Sequence, residues 1–315
     1  MKRKTAFVFP GQGSQYVGMG KDFLENEPDT GHVFDVAESI TGVPVQDLCI
    51  NGPIKELIRT SNLQPCLTAV DIVCFLAASR NGLEADAVAG HSLGEFPALF
   101  AAGVVSLEDV FRLVSERGRL MDEVGCNVPG GMAAVIGMNM EKLKALLSVV
   151  ASGGVLTLAN HNSPEQIIIT GEKSLVNALC REVKNEGARA IPLKVAGAFH
   201  SPLMKKASER FSRVLAETEF KEARLPVYCN VSASPETDPQ NLKNMVTEQM
   251  CAPVRWYEII VSMYSHGISA YVELGPKKVL GSLIKKCLPG EDVIVAQIED
   301  RETLKSTSKS CSSAL

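Results

Sequence analysis

The stretch AVAGHSLGEFPALFAAG, residues 87 to 103, joins a short apolar run to a helical pattern through a serine flanked by glycines. Its centre, GHSLG at residues 90–94, fits the pattern G-x-S-x-G, in which the glycines permit a sharp turn from a strand into a helix. Such a turn exposes the serine beside the N–H groups and positive potential of a helix N-terminus. The stretch therefore predicts an α/β unit with Ser92 as a nucleophile; the alternative is that Ser92 only caps the helix.

The segments on either side extend this α/β pattern. Apolar runs alternate with helical periods along most of the chain, which is typical of the α/β class. Residues 131–195 differ, because their pattern predicts a strand, a helix, a strand, a turn at 161–166, a strand, a helix and a strand. That β-α-β-β-α-β order is the ferredoxin-like arrangement. It predicts a subdomain over residues 128–195, bordered by turn-rich residues on both sides.

The rest of the chain is then expected to form one larger catalytic domain from two parts, residues 1–127 and 196–302. Residues 303–315 lack hydrophobic periodicity, and we expect them to form a disordered tail.

Composition and charge exclude several classes of protein. The chain has 315 residues and a net charge of −4, which gives no reason to expect nucleic acid or an anionic membrane as a partner. Its nine cysteines are an odd number without a C-x-x-C pair, so we expect reduced, mostly buried thiols rather than disulfides or a zinc site. The first apolar run is too short for a signal sequence, and no later run is expected to span a membrane. A cytoplasmic protein is predicted.

The glycine-rich loop FPGQGSQYVGMG, residues 9 to 20, follows a predicted strand. It lacks the third glycine of the dinucleotide fingerprint, and it has Asp22 where a P-loop needs a hydroxyl residue after the lysine. Both nucleotide-binding interpretations therefore fail. What remains is a loop whose backbone N–H groups are suited to binding a negatively charged oxygen.

A serine nucleophile needs a base, and His200 is the best placed of the five histidines. It lies between a predicted strand and a helix that begins with a serine and a proline, a junction at which loops of α/β domains carry function. His32 and His266 are expected at the surface, His161 in the predicted turn, and His91 on a pleated strand, pointing away from Ser92. The alternative is that His200 only packs at a helix start.

Arg117 lies in the middle of an apolar stripe on the predicted helix 107–124, while the other charged residues occupy the opposite face. A buried arginine requires an anionic partner, because an unpaired buried charge costs several kcal/mol. The interpretations left open are an internal salt bridge, a side chain that extends along the helix to water, and a fork for a substrate carboxylate.

Six motifs occur in order along the chain: FPGQGSQ at 9–15, GHSLGE at 90–95, RLVSERGRLM at 112–121, NSP at 162–164, GAFHSPLM at 197–204 and QMCAPVRW at 249–256. Together they resemble the malonyl-CoA:acyl-carrier-protein transacylases and the acyltransferase domains of polyketide synthases, from the N-terminus to about residue 300. The resemblance implies an α/β-hydrolase-like core with an inserted ferredoxin-like subdomain.

The resemblance also implies the catalytic roles. Ser92 is the nucleophile, His200 is the base, and Gln249 orients the histidine through its backbone carbonyl. The backbone N–H groups of Gln12 and Leu93 form an oxyanion hole for a thioester. On this basis no triad aspartate is needed.

Substrates and substrate contacts follow from the same resemblance. Arg117 binds the malonyl carboxylate, and His91, Phe199 and Asn162 are the other implied substrate contacts. Malonyl-CoA is the implied acyl donor, and an acyl carrier protein with a phosphopantetheine thiol is the implied acceptor, in fatty-acid or polyketide synthesis. No metal or bound cofactor is expected. A thioester hydrolase of the same fold and a non-catalytic carrier-docking module remain the alternatives.

Two further features concern specificity and docking. Lys277 stands where the family usually has the second glycine of G-P-G-K, and Phe199 before the histidine resembles malonyl-selective members and is expected to disfavour a methyl branch. An acidic carrier needs a local basic surface on this net-negative chain. The candidates are the lysine pairs at 205–206, 277–278 and 285–286, of which the first is nearest in sequence to His200.

Overall fold

The computed structural model describes residues 3–27, 30–195 and 197–314, with side chains as far as residue 309. The strands of this part of the chain are β1 (Lys4–Phe9), β2 (Ala87–Gly90), β3 (Gly130–Ile136), β4 (Leu156–Ser163), β5 (Gln166–Glu172), β6 (Arg189–Pro192), β7 (Val227–Tyr228), β8 (Pro235–Glu236), β9 (Ile268–Leu274) and β10 (Ile294–Ile298). Its helices are α1 (Lys21–Asn26), α2 (Thr30–Thr41), α3 (Val45–Ile50), α4 (Ile54–Leu57), α5 (Thr60–Arg80), α6 (Glu95–Ala101), α7 (Leu107–Asn127), α8 (Met140–Val150), α9 (Lys173–Asn185), α10 (Lys205–Glu217), α11 (Pro239–Gln249), α12 (Trp256–Ser265), α13 (Val279–Cys287) and α14 (Arg301–Ala314).

The larger sheet has six strands in the order β10-β9-β1-β2-β7-β8. All neighbouring pairs are parallel except β7 with β8 at one edge. Alternate residues of β1 point to opposite faces: Phe7 and Phe9 join the core beneath α2, α5 and α7, whereas Ala6 and Val8 pack against α12 and α13. Helices therefore cover both faces, which explains why every residue of β1 after Lys4 is buried.

The smaller sheet is antiparallel, with strand order β4-β5-β3-β6. Helices α8 and α9 cover one face through a hydrophobic cluster of their own, and side chains such as Met132 and Ile168 on the other face join the main core. The chain order β3-α8-β4-β5-α9-β6 is the β-α-β-β-α-β order expected from the sequence. The mixed α/β class, with one parallel and one small antiparallel sheet, is confirmed.

The turn predicted at 161–166 is too long at both ends. Strand β4 continues to Ser163, which pairs with Gln166, so only Pro164 and Glu165 form the turn. His161 is held in the strand because its N–H donates to the carbonyl of Val254.

The disordered tail expected at 303–315 is also wrong as far as residue 314, because α14 runs from Arg301 to Ala314. The Asp300 side chain accepts the N–H of Thr303 at 2.8 Å, which caps the helix start. Leu304 and Thr307 are buried and fasten the helix to the fold. The sequence of this segment is mostly polar and has no hydrophobic period, so it did not indicate that these two residues are buried. Leu315 lies outside the described residues.

Helix α5 is, among the described residues, long and apolar enough to cross a membrane by length and composition, which the sequence analysis did not expect. Most of it is buried inside the fold, against α7 and the parallel sheet. Six of the eight cysteines with described side chains are buried, and all eight are free thiols.

Candidate active site

The G-x-S-x-G stretch forms the predicted strand-turn-helix. Strand β2 ends at Gly90, residues 92–94 form a single 3₁₀ turn, and α6 follows. Ser92 has φ 52°, a left-handed conformation that raises its side chain out of the turn. A Cβ at Gly90 would lie 1.9 Å from the carbonyl carbon of Gly94, and one at Gly94 would lie 2.1 Å from the carbonyl oxygen of Phe9. Only glycine fits at both positions.

A buried asparagine holds this turn from beneath. The Asn230 side chain accepts the Ser92 N–H at 2.7 Å and donates to the Gly90 carbonyl at 2.7 Å, so it bridges both sides of the turn. Its own N–H donates to Glu95 at 2.9 Å. Sequence reasoning missed Asn230 and Glu95. The available signals were that Asn230 lies two residues beyond the end of strand β7 and that Glu95 directly follows the GHSLG motif.

His200 lies against the predicted nucleophile. Its Nε2 is 2.8 Å from Ser92 Oγ, and its Nδ1 faces the carbonyls of Gln249 at 2.9 Å and Ala252 at 3.1 Å. Two carbonyl acceptors require the proton on Nδ1, so Nε2 carries the lone pair that accepts the Ser92 hydroxyl. Burial, followed by the charge of Arg117, lowers the pKa of His200 to about 3. The imidazole is therefore a neutral base at physiological pH.

The other histidines differ in place and partners. His91 lines the same cavity as Ser92, contrary to the expectation that it points away, because the strand ends at Gly90 and its alternation does not continue. The Nε2 atom of His91 is 2.8 Å from Asn162 Oδ1. His161 pairs with Glu258, and His266 hydrogen-bonds Tyr228; both bonds lie outside the cavity lining.

Arg117 is fully buried on α7, whose start is capped by the Ser106 side chain. Its Nη2 donates to Ser92 Oγ at 3.1 Å and to Gln249 Oε1 at 2.9 Å, and its Nη1 donates to Gln64 Oε1 at 3.1 Å. The Nε atom has no partner in the described part of the chain. Burial lowers the pKa of Arg117 to about 10, so it remains cationic at neutral pH.

The hydrogen-bond acceptors described around Arg117 are two amides and a hydroxyl, not a carboxylate. The internal salt bridge that the sequence left open is thus not formed directly. A buried cation held by neutral groups beside the serine is suited to binding an anionic part of a substrate. Gln64, on α5, is a further contact that the sequence analysis missed.

These groups surround a cavity of about 160 Å³ between the two sheets. Its lining comprises Gln12, His91, Ser92, Met121, Met132, Asn160, Asn162, Ile168, Leu193, Val195, Phe199 and His200. Of the predicted site residues, Leu93, Arg117 and Gln249 lie behind this lining and are buried. The structure thus brings all nine predicted site residues to one place, and their chemical roles remain predictions.

The glycine-rich loop passes beside the serine turn. A Cβ at Gly11 would lie 2.4 Å from the carbonyl oxygen of His91, so the two backbones are in contact and only glycine fits. Beside Gln12, the N–H groups of Gly13 and Ser14 donate within the loop, whereas that of Gln12 has no acceptor in the described part of the chain. Leu93 is the second residue of its 3₁₀ turn, where the N–H has no partner within the turn.

Comparison with known proteins identifies the family. Residues 6–304 match the acyl transferase domain model. The malonyl CoA-acyl carrier protein transacylase of Bacillus subtilis (strain 168) is 41% identical over 285 residues, which is 90% of each chain. The chain belongs to the malonyl CoA-acyl carrier protein transacylase family. The predicted resemblance is confirmed, and the Synechocystis transacylase is 39% identical over 96% of this chain and 100% of its own.

Solved structures of transacylases share the fold. An acyl carrier protein S-malonyltransferase from Vibrio cholerae has a TM-score of 0.92 and 36% identity, covering 96% of this chain and 99% of its own. A malonyl-transacylase solved in complex with its type II PKS acyl-carrier protein has a TM-score of 0.93 and 34% identity, covering 98% and 99%. The transacylase fold therefore extends over nearly the whole chain.

Lys277 stands where the resemblance to the family implied a glycine. It keeps a left-handed backbone, with φ 65°, and its side chain donates to the carbonyl of Gln15 at 3.0 Å. Its N–H donates to Glu299 at 2.9 Å, and Glu299 also accepts the Tyr16 hydroxyl at 3.2 Å. The turn expected of glycine is thus retained, and the lysine adds a link to the loop that contains Gln12.

This geometry predicts the effect of two substitutions at Lys277. Lys277→Gly and Lys277→Ala both remove the side-chain link, but only alanine keeps the strain of a Cβ in the left-handed region. We expect the glycine variant to be more stable than the alanine variant by about 1 kcal/mol, measured by chemical denaturation. An alanine variant at least as stable as the glycine variant would contradict the left-handed conformation.

Proposed function

We propose that this chain moves the malonyl group from malonyl-CoA to the phosphopantetheine thiol of an acyl carrier protein through a malonyl-serine intermediate. The observation that carries the proposal is the position of Arg117, whose buried guanidinium lies 3.1 Å from Ser92 Oγ, which in turn lies 2.8 Å from His200 Nε2. A nucleophile, a neutral base and a buried cation suited to a carboxylate thus meet at Ser92 Oγ. The family and its transacylase relatives support the same reaction.

In the first half-reaction Ser92 Oγ attacks the thioester carbonyl carbon, and its proton passes to Nε2 of His200. The N–H groups of Gln12 and Leu93 donate to the oxyanion, a contribution of about 3 to 4 kcal/mol for each donor. Collapse breaks the C–S bond, and the CoA sulfur leaves with the proton from His200. The carbonyls of Gln249 and Ala252 hold the imidazole in the required tautomer throughout.

In the second half-reaction the phosphopantetheine thiol of the carrier takes the place of CoA. His200 accepts the thiol proton while the sulfur attacks the malonyl-serine carbonyl. Collapse of this second tetrahedral species breaks the C–O bond, and His200 returns the proton to Ser92. The substrate carboxylate stays on Arg117, and Phe199, which is buried in the cavity wall, limits the room beside the α-carbon.

The hydrolase alternative uses the same serine and base but lets water take the acyl group. A generic esterase has no use for a buried carboxylate-binding arginine, so this alternative is not favoured. A non-catalytic docking module would not need the Ser92–His200 hydrogen bond. Measuring malonyl-carrier formation against free malonate release, after mixing enzyme, malonyl-CoA and holo-carrier, separates the three: transfer predicts malonyl-carrier as the main product.

We propose an α/β-hydrolase-like catalytic domain built from residues 1–127 and 196–302, with residues 128–195 as an inserted ferredoxin-like subdomain. The separate hydrophobic cluster beneath α8 and α9 supports that division. A cytoplasmic location is proposed from the free thiols and from the soluble substrate and carrier that the reaction uses.

Arg117→Ala tests the selection of the carboxylate. Removing the guanidinium should cost malonyl transfer about 1.5 to 3 kcal/mol in kcat/KM, the range of a charged hydrogen bond, while acetyl transfer is spared or rises. The measurement is serine acylation with malonyl-CoA and with acetyl-CoA on the same variant. An equal loss for both donors would make Arg117 a purely structural residue.

We propose that the carrier docks beside the start and end of α13, next to the active site. A second cavity, of about 310 Å³, extends from Gln12, His91 and Asn162 to Lys278 and Lys286. Both lysines are exposed, and they give the mouth a positive charge that suits an acidic carrier and its phosphate. This placement favours them over the pair at 205–206, which nearness in sequence had suggested.

Charge reversal tests this surface. Lys278→Glu with Lys286→Glu should raise the carrier KM several-fold and weaken its salt dependence. Acylation of Ser92 by a malonyl thioester of N-acetylcysteamine, which has no phosphate, should be unchanged. Lys205→Glu with Lys206→Glu changes the charge equally and is the matched control. A larger rise of the carrier KM in that control would move the dock to α10.

A further inference from the structure

The side chain of Gln249 lies between two buried charges of opposite sign. Its Oε1 accepts from Arg117 Nη2 at 2.9 Å. Its Nε2 donates to the Ser92 carbonyl at 2.9 Å and also to the Glu95 carboxylate. The amide thus has a fixed orientation, with its oxygen towards the cation and its nitrogen towards the anion. Arg117 and Glu95 are joined through this amide.

Glu95 is a buried carboxylate with a donor on each oxygen. It is 1% exposed, one oxygen accepts the Asn230 N–H at 2.9 Å, and the other accepts from Gln249. An ionised carboxylate accepts from both donors. A protonated acid or an amide would place an O–H or N–H group opposite one of these N–H donors. Burial raises the pKa of Glu95 to about 7, while its hydrogen bonds and the charge of Arg117 oppose that rise.

The Gln249 amide keeps the Glu95 carboxylate out of direct contact with the Arg117 guanidinium. A direct ion pair with Glu95 would occupy the guanidinium fork and neutralise it at close range. With the amide interposed, Glu95 balances the buried cation only from a distance. The guanidinium then has only neutral hydrogen-bond partners, which an acyl carboxylate can displace. The Nε atom of Arg117 has no hydrogen-bond partner among the described residues, which agrees with a guanidinium whose donors are not all used.

We propose that Glu95, held apart from Arg117 by the Gln249 amide, is a specificity-determining residue that sets how strongly the site prefers a negatively charged acyl group. The inference rests on the proposed function, because it presumes that Arg117 binds the substrate carboxylate. Glu95 opposes the malonyl carboxylate electrostatically and offsets part of the attraction of Arg117. Removing its charge should therefore increase the preference for malonyl over acetyl.

The test compares serine acylation by malonyl-CoA and by acetyl-CoA at about pH 8, where Glu95 is mostly ionised, using intact-mass kinetics. Glu95→Gln keeps the shape and removes the charge. The lost hydrogen bond should slow both donors, but the malonyl-to-acetyl ratio of kcat/KM should rise by about threefold or more. Glu95→Asp keeps the charge and should hold the ratio near that of the unaltered enzyme.

The matched control is Glu248→Gln. Glu248 is exposed and neighbours Gln249 in sequence, so this variant removes one negative charge that water screens. It should leave the ratio unchanged. A Glu95→Gln enzyme in which both donors slow by the same factor, or in which the ratio falls, would overturn the proposal and leave Glu95 with a supporting role only.

Gln249→Leu tests the same idea from the other side and serves if the Glu95 variant does not fold. It leaves the backbone carbonyl that faces His200 but removes the amide between the charges. Arg117 is then expected to turn to Glu95, so the malonyl-to-acetyl ratio should fall. An unchanged or higher ratio would contradict the spacer role.

The unaltered enzyme separates this proposal from the proposed function. If it forms no malonyl-serine, or if it does not prefer malonyl to acetyl, the proposed function has failed. If it prefers malonyl and the Glu95→Gln ratio does not rise, only the inference about Glu95 has failed.

Discussion

Replacing Ser92 by alanine should abolish the malonyl-enzyme adduct and leave the fold intact. Ser92 Oγ is the hydroxyl that contacts both His200 Nε2 and Arg117 Nη2, so no other group in the cavity lining combines a nucleophilic atom with a base and the cation. Alanine keeps a Cβ at φ 52°, and the Asn230 bridge binds backbone atoms alone, so the turn should persist. Intact-mass measurement after mixing with malonyl-CoA reads the adduct.

A second serine provides the control for that experiment. The Ser212 hydroxyl, on α10, donates to the carbonyl of Glu209 in its own helix, and Ser212→Ala should form the adduct at the normal rate. Circular dichroism of the Ser92→Ala protein should match that of the unaltered enzyme. A stable malonyl adduct on the Ser92→Ala protein would show that the nucleophile lies elsewhere.

Replacing His200 by alanine should slow serine acylation by about 10²-fold or more, the usual contribution of a positioned general base. The reason is the 2.8 Å contact of Nε2 with Ser92 Oγ and the two carbonyls that fix the proton on Nδ1. The loss should fall mainly on kcat, because the substrate contacts remain. Rates of adduct formation at several malonyl-CoA concentrations give both constants.

His266→Gln is the matched histidine control, because His266 is exposed and hydrogen-bonds Tyr228 outside the cavity lining. It should change the acylation rate by less than about twofold. A His200→Ala enzyme that acylates within about tenfold of the normal rate would mean that another group or water acts as the base.

Much of the fold and of the candidate site was predictable, because the deciding signals are local. The glycines around Ser92 permit a sharp turn, and a cation within an apolar stripe requires a partner, so both patterns depend on neighbouring residues. The β-α-β-β-α-β order likewise follows from successive segments. His91 was misplaced because the strand ends one residue before it, a boundary that periodicity does not fix.

The missed residues share a different property. Gln64, Glu95 and Asn230 come from three distant parts of the chain, and each acts through a buried hydrogen bond with a group that is remote in sequence. No spacing rule connects such positions. The role of the Gln249 side chain, as distinct from its carbonyl, became visible only with Arg117 and Glu95 on either side of it. Buried polar networks of this kind are specified by packing rather than by local pattern.

One intact-mass experiment tests whether Ser92 carries the malonyl group from CoA to a carrier: the enzyme is mixed first with malonyl-CoA and then with holo-acyl carrier protein. We expect the enzyme to gain the mass of one malonyl group, located on Ser92 by peptide mapping, and the carrier then to gain that mass while the enzyme loses it. An enzyme that never gains the mass, or one that loses it to water while the carrier stays unmodified, would show that Ser92 does not transfer malonyl to the carrier.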